Sequence, residues 1–396
     1  MKQLLAYCLS IILCVSFTGC MENYLDLYPE DKITSASFPE NESDIKLLLN
    51  GVYAQLREKE VYNQGLFGFG ITDGATPNAF NWGTDEVFNK LGAGRLSSSD
   101  GGVVTYRWKR CYEIISRANY LLACMDLVDL SEEAKAKYSG ETHFLRGLAY
   151  SVLAETYGGV PIILTDISTE EARSLKRASL EETWQQALDD YEVAITNLGV
   201  DAPEPGRATK GAALGMKMRA YLYQGKYKEV LSCVEQIDEL KKYGLFHSYE
   251  GLFDPANENN KEVLFDIQYI EGENSQGSYI DQYCGTGTGS WTRGSRYVPT
   301  DDLVAAYETI DGSPVDPENP YENRDPRLGF TAVLPGSYFL GYRFPNYLYP
   351  GGAFNHAGNR LKHLSTRKYR IQDESKLPPS GQSYICLLYT SPSPRD

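Results

Sequence analysis

The chain has 396 residues, 42% of them hydrophobic and 12% aromatic, which is enough apolar material for one large domain or two modest ones and excludes general disorder. Its 38 Lys and Arg face 53 Asp and Glu, a net charge of −15 with no Lys/Arg-rich run to offset it, so no nucleic-acid partner is expected. Tyrosine is in excess, with 30 Tyr against 14 Phe, and a ring with a polar tip suits half-wet surfaces better than dry cores.

In chain order, Lys2 precedes an apolar stretch from Leu4 to Phe17, too short to span a bilayer and of the length of a signal-peptide core, so residues 1–19 are expected to be removed. Small residues then precede Cys20 in Phe17-Thr18-Gly19-Cys20. This resembles a bacterial lipoprotein processing box, so Cys20 is the expected lipidation site and the only expected membrane attachment. Residues 20–43, with Pro29 and Pro39, read as an extended leader. Ser43-Asp44 is expected to open a helix to about residue 59, with Ile45, Leu48, Leu49, Val52, Tyr53 and Leu56 on one face. Residues 64–102 are rich in Gly, Asn, Thr and Ser, with Phe and Trp among them; this reads as loop, too long for a mere connector.

Helices are expected at 106–127, 132–157 and 180–198, followed by a pair at 207–223 and 226–242. The second ends in Tyr157-Gly158-Gly159-Val160-Pro161, where glycine accepts a left-handed cap and proline forbids continuation. The pair carries Leu214, Met218, Tyr221, Gly225, Tyr227 and Val230, near tetratricopeptide spacing. Such pairs bury their faces by stacking on neighbours, so a mainly α fold is expected, an irregular right-handed array in which Tyr221, Tyr223 and Tyr227 serve repeat packing. Beyond residue 243 the chain becomes rich in Gly, Pro, Tyr and Asp, with a strand expected at 262–269 and a short helix at 300–309 started by Thr300-Asp301-Asp302. The expected division is 44–380 for the domain, with repeats mainly over 106–242 and a loop-rich part over 243–380 that no linker separates from them. The last ten residues, from Leu387 to Asp396, have no periodicity.

The residues that could carry covalent chemistry are few. The eight cysteines leave five after the signal and Cys20, widely spaced and without a C-x-x-C, so buried free thiols are expected rather than a disulfide framework or zinc site. Four histidines form no metal motif, and no nucleophile elbow or phosphate loop is present. No metal, cofactor or catalytic residue is therefore assigned. Adjacent carboxylates occur at Asp189-Asp190 and Asp301-Asp302, but neighbours on a helix point about 100° apart and do not face one site. Asp301-Asp302 suits a helix start, and Asp189-Asp190 reads as part of a solvated helix face.

Aromatic platforms remain. A sugar ring offers an apolar C–H face and a hydroxyl rim, and so needs flat aromatic surfaces beside polar side chains. Two loops have this mixture: Phe80-Asn81-Trp82 within 64–102, and the segment bearing Tyr279, Tyr283, Trp291, Arg293 and Tyr297. Asn81, Trp82, Tyr279, Tyr283, Trp291, Arg293 and Tyr297 are the ligand-binding candidates. Trp108 and Trp184, on amphipathic helices, read as packing residues. Arg146 reads as structural, satisfying buried carbonyls.

Five motifs stand in order along the chain: Cys20-Met21-Glu22-Asn23-Tyr24-Leu25-Asp26; His143-Phe144-Leu145-Arg146-Gly147-Leu148-Ala149-Tyr150 running into Tyr157-Gly158-Gly159-Val160-Pro161; Gly206-Arg207-Ala208-Thr209-Lys210; Tyr307-Glu308 with Asp311-Gly312; and Asn323-Arg324-Asp325-Pro326-Arg327-Leu328. In these the chain resembles the SusD/RagB family of Bacteroidetes outer-membrane lipoproteins. The resemblance implies a tetratricopeptide-like scaffold with an irregular ligand-binding face, no catalysis, and a SusC-type TonB-dependent transporter as partner. Oligosaccharide captured at the cell surface would pass to that barrel, with the lipid anchor in the outer membrane; Glu22 and Asp26 resemble the surface-export signal. A peptide-binding lid of the same transporter, a glycoside hydrolase and a tetratricopeptide assembly scaffold are the alternatives. The family continues with a further helical stretch where this chain stops, and the last residues resemble the translation of a sequencing-adapter read-through. The domain is therefore expected to be incomplete and residues 381–396 non-native.

Overall fold

A computed structural model describes residues 38–57, 73–81, 90–269, 297–339, 342–344, 364–367 and 387–390. Residues 1–37, with Cys20, and the candidates Trp82, Tyr279, Tyr283, Trp291 and Arg293 lie outside them.

The first half is helical. Helix α1 (Glu42–Ala54) starts two residues earlier than Ser43-Asp44 suggests, because Asn41 and Asp44 form a reciprocal capping box. Ile45, Leu49 and Val52, at i, i+4 and i+7, form its buried face. Helices α2 (Val103–Cys124), α3 (Glu132–Tyr157) and α5 (Leu180–Asn197) follow, with the short α4 (Thr169–Ser174) in a stretch the hydrophobic pattern leaves blank. Helix α4 buries no residue; its Ser168–Glu171 capping box accounts for it. Helix α3 ends at Gly158, whose φ of 75° a side chain would resist. Arg177 donates to the Tyr157 and Gly159 carbonyls, both at 2.6 Å, and takes up acceptors freed at that end.

The α3–α5 pair forms the centre of the array. A Cβ at Gly140 of α3 would stand 3.0 Å from side-chain atoms of Asn197 and Leu198, and one at Gly147 3.0 Å from those of Asp190 and Tyr191, so the two glycines let the helices approach closely. The hairpin of α6 (Lys210–Tyr223) and α7 (Tyr227–Glu239) turns at Gly225, φ 69°. Leu214, Met218, Cys233 and Ile237 close its inner face with Leu264. Tyr221 packs there as expected, but Tyr223 and Tyr227 are 51% and 68% exposed. Those two tyrosines therefore do not serve repeat packing within the described residues. Trp184 is buried, and Trp108 packs half-buried against Tyr112 and Tyr157.

The second half contains α8 (Tyr249–Leu252), β2 (Val263–Ile267), β3 (Tyr297–Pro299), α9 (Asp301–Ala306), α10 (Pro326–Thr331) and several two-residue strands. The 64–102 segment, expected as loop, contains β1 (Ala79–Asn81), which pairs antiparallel with β3. Strand β4 (Ala332–Val333) pairs with β7 (Ser365–Thr366), and β5 (Tyr338–Phe339) with β6 (Tyr342–Arg343). Leu387–Thr390, within the tail that shows no periodicity, forms β8 and pairs antiparallel with β2.

The large hydrophobic cluster draws on α1 to α3, α5, α6 and β2. Strand β2 is thus the element by which the loop-rich half joins the helical core: Phe265 stacks edge-on to Phe144 of α3 at 4.9 Å. Cys111, Cys124 and Cys233 are buried free thiols, as the spacing predicts.

Candidate functional site

One described end of each candidate loop meets the other. In the β1–β3 seam Ala79 lies opposite Pro299, Phe80 opposite Val298 and Asn81 opposite Tyr297. Asn81 and Tyr297, chosen from segments more than 200 residues apart, are thus register partners. Trp82 follows Asn81 directly, and the segment bearing Tyr279, Tyr283, Trp291 and Arg293 runs into Tyr297. Across the seam, Val298 is buried while Phe80 stands 42% exposed. Phe80, quoted with its neighbours but left out of the candidate residues, therefore presents an aromatic surface at the junction. A binary pattern cannot separate an exposed Phe from a buried one, which is why sequence reading passed it over.

Each side of the seam is held by local chemistry. Before β1, the Thr76 amide and hydroxyl both donate to the Asp73 carbonyl, at 2.8 and 2.7 Å, and the Asn78 amide donates to the Thr76 hydroxyl at 3.2 Å. The Asp73–Asn78 turn is thereby closed on itself. After β3, Thr300 caps α9 by accepting from the Leu303 amide at 3.2 Å. Arg324, 6% exposed, donates through one guanidinium nitrogen to the Val304 and Tyr307 carbonyls at the far end of α9, and through another to the Pro320 carbonyl. The Asn323-Arg324-Asp325-Pro326-Arg327 run continues this work. The Ile310 amide donates to the Asn323 carbonyl at 2.9 Å and the Asp325 amide to the Glu308 carbonyl at 2.8 Å, while Asp325 caps α10 with Pro326 in its first turn. The motif is a brace beneath the element that follows β3.

Two further centres of buried charge lie inside the helical array. Asp190 is 1% exposed, so the solvated-face reading holds for exposed Asp189 alone. Arg146 donates from Nε and a terminal nitrogen to the Asp190 carboxylate, the shortest contact being 2.7 Å, and from its other nitrogen to Asn119 Oδ1 at 2.8 Å. Its partners are therefore a carboxylate and an amide, not the carbonyls expected. Carbonyls are reached at one remove: Asn119 donates to those of Ile163 and Thr165. His143 Nδ1 lies 2.7 Å from the same Asp190 oxygen. This centre fastens α2, α3 and α5 to the 163–165 stretch that follows α3. Helical spacing from Ala187 and Ala194 places Asp190, not Asp189, on the buried face of α5; what that spacing does not supply is the partner, Arg146, 44 residues away.

A second centre joins α1 and α3 to residues 207–208, just ahead of α6. Glu141, 2% exposed, accepts from the Tyr53 hydroxyl at 2.7 Å and from Arg207 at 3.4 Å. The Arg207 guanidinium sits 4.9 Å from the Tyr53 ring centroid, and the Tyr53 oxygen accepts from the Ala208 amide at 2.9 Å. Burial raises the Glu141 carboxyl above the usual range, opposed by the Tyr53 hydrogen bond and Arg207. Burial also pushes the Tyr53 phenol well above its ordinary value, with the Glu141 charge adding to it. Both centres explain the resemblance-bearing residues Arg146 and Arg207 as fasteners. Neither adjacent carboxylate pair offers two acids to one bound sugar: Asp190 is tied under Arg146, and Asp301 and Asp302 lie exposed in the first turn of α9.

Residues 23–222 match the family model described as "Starch-binding associating with outer membrane", and residues 261–384 match the SusD family model. A SusD-like protein of Formosa agariphila, P25, is 26% identical over 321 residues, covering 75% of this chain and 58% of its own length. A SusD-like protein of Bacteroides ovatus is 23% identical, covering 64% of this chain and 48% of its own. The chain thus spans about half to three fifths of the length of these curated relatives. Among solved structures, a SusD-like carbohydrate binding protein from Bacteroides fragilis superposes with a TM-score of 0.76 at 26% identity, over 88% of this chain and 71% of that one. A laminarin binding SusD-like protein superposes at 0.66 with 18% identity, over 89% of this chain and 77% of that one, a likeness of fold. With its fastening centres, its braced seam and half its length under one family model, the chain belongs to the SusD-like family.

Proposed function

We propose that this chain is a surface glycan-binding lipoprotein that captures oligosaccharides and delivers them to a SusC-type TonB-dependent outer-membrane transporter. The observation that carries the reading is the β1–β3 seam, which brings the ends of both aromatic, polar loops into one register. In this reading Phe80, Trp82, Trp291 and Tyr297 would supply stacking faces, and Asn81, Tyr279, Tyr283 and Arg293 the hydrogen bonds to hydroxyls. The reaction is capture and release, with no bond broken. Support comes from the carbohydrate-binding name of the Bacteroides fragilis relative and from the outer-membrane wording of the family model.

Among the described residues no helix is long and apolar enough to cross a membrane. Lipidation of Cys20 would supply the anchor, at about 0.8 kcal/mol per buried methylene. Weak affinity suffices for such a lid, because a ligand held over the pore is presented at high effective concentration.

The test is a glycan array with a Trp82→Ala/Trp291→Ala double variant. The expected result is retention of at least one oligosaccharide class by the wild type and loss of that retention in the variant, with far-UV circular dichroism unchanged. Undiminished binding by a folded variant removes these loops from the site.

A further inference from the structure

We infer that the outer face of α7 pairs with the same face of a second copy of this chain, the two helices running antiparallel about a two-fold axis between residues 231 and 232. The inference does not depend on the reading of function given above. Helix α7 stands at the end of the helical stack, packing on α6 through Cys233 and Ile237. The end of a repeat array needs a polar outer face to remain soluble alone. This one instead presents Tyr227, Leu231 and Val234, at i, i+4 and i+7, exposed by 68%, 63% and 37%.

The charges around that stripe are complementary to themselves. Lys228 and Glu235 are both exposed, and neither has an ion-pair partner among the described residues. Being seven residues apart, they lie on the same side of the stripe, within about 20° of each other. A two-fold axis midway between them therefore sets each Lys228 beside the Glu235 of the second copy, in two equivalent pairs. The helix ends agree with this. The last turn carries Asp238 and Glu239 with no base in it, the reverse of what the helix dipole favours, and the nearest base, Lys241, lies past the helix end. Lys226 stands at the N-cap without a capping hydrogen bond. An antiparallel neighbour brings each acidic end to a lysine-bearing start.

The same axis also interleaves the apolar side chains. At about 1.5 Å per residue, Val234 lies about 4 Å along the helix from the axis, between the second copy's Leu231 at about 1 Å and its Tyr227 at about 7 Å. The two Leu231 side chains meet at the centre. One register thus satisfies both the stripe and the charges, which favours a second copy over an unrelated partner. Three apolar side chains from each chain make a small interface, so the pairing is weak, with a dissociation constant on the order of 100 µM.

Sedimentation velocity would use the chain with Cys20→Ser, which blocks acylation, over loading concentrations from about 10 to about 500 µM. The expected result is a reversible monomer–dimer equilibrium that weakens as salt is raised. Lys228→Glu or Glu235→Lys alone should weaken it by about tenfold or more, since each sets like charges together, whereas Lys228→Glu/Glu235→Lys should return it to within about threefold of the wild type. All three changes are on the exposed surface, so melting temperatures should stay alike. A chain that remains monomeric throughout leaves the stripe to another occupant and overturns the inference. Dimerisation indifferent to the single reversals, or a double reversal no stronger than either single one, places the contact elsewhere and overturns it as well.

Discussion

Asp190 shows how one buried residue can fasten several helices. Its carboxylate, 1% exposed, is matched by the Arg146 guanidinium and the His143 imidazole, and a desolvated charge is tolerated only with such partners. Removing one partner leaves the other charge stranded, so Arg146→Ala should cost about 3–5 kcal/mol in urea unfolding. Replacing both ions by apolar groups, as in Arg146→Met/Asp190→Leu, should return much of that loss; a double variant no more stable than the single one would locate the energy in the ion pair itself. Asp266 is the opposite case. It is 3% exposed, its Oδ2 has no hydrogen-bond partner among the described residues, and burial pushes its carboxyl up to about 6, with Glu258 adding and the Gln268 amide pulling the other way. Between its unfolded value near 4 and its folded value near 6, the folded chain holds the proton more often than the unfolded one. Stability from this group is therefore present below the lower value and is lost as pH rises through the upper one, by on the order of 3 kcal/mol. Asp266→Asn should raise the melting temperature at pH 7.5 and leave it nearly unchanged at pH 4, as read by thermal melts across that range.

Elements divide by whether their cause is local. Helices α1, α3, α5 and α6 were legible because their apolar spacing, their caps at Ser131, Ser179 and Thr209, and the Gly158 stop are written in adjacent residues. Helix α4 escaped because it buries nothing, and a search for apolar faces does not see a helix made by its cap. Strand β1 escaped for a different reason. Three residues within a polar loop carry no period, and Ala79–Asn81 becomes a strand only because Tyr297–Pro299 lies beside it. The same holds for the site: composition marked both loops as suited to sugar, while nothing local shows that Asn81 and Tyr297 are opposite one another. Thr300-Asp301-Asp302 was read as a helix start, which it is, but its hydroxyl also reaches Pro77 across the seam. Exposure misled in the other direction at Tyr223 and Tyr227, where repeat spacing suggested packing and the side chains face solvent. A heptad-like period states that a face exists, not that a neighbour covers it.

At the scale of the whole molecule the two halves differ in how their burial is organised. Helices α1 to α3, α5 and α6 share one large cluster with β2, which includes fully buried Phe144, Tyr150 and Tyr191. In residues 297–339 the buried side chains Val298, Leu328, Val333 and Phe339 sit among two- and three-residue strands and single helical turns. Cooperative protection follows contiguous burial, so opening of this part should require less free energy than opening of the helical cluster. Native-state hydrogen exchange should show residues 144–154 and 184–194 exchanging only through global unfolding, with denaturant dependence to match. Residues 297–339 should exchange through a smaller opening that denaturant promotes less. Equal free energies and equal denaturant slopes in both sets would mean that the halves open as one cooperative unit, joined through β2. Under the proposed function, such a separation would let the part around the β1–β3 seam open while the helical scaffold stays folded.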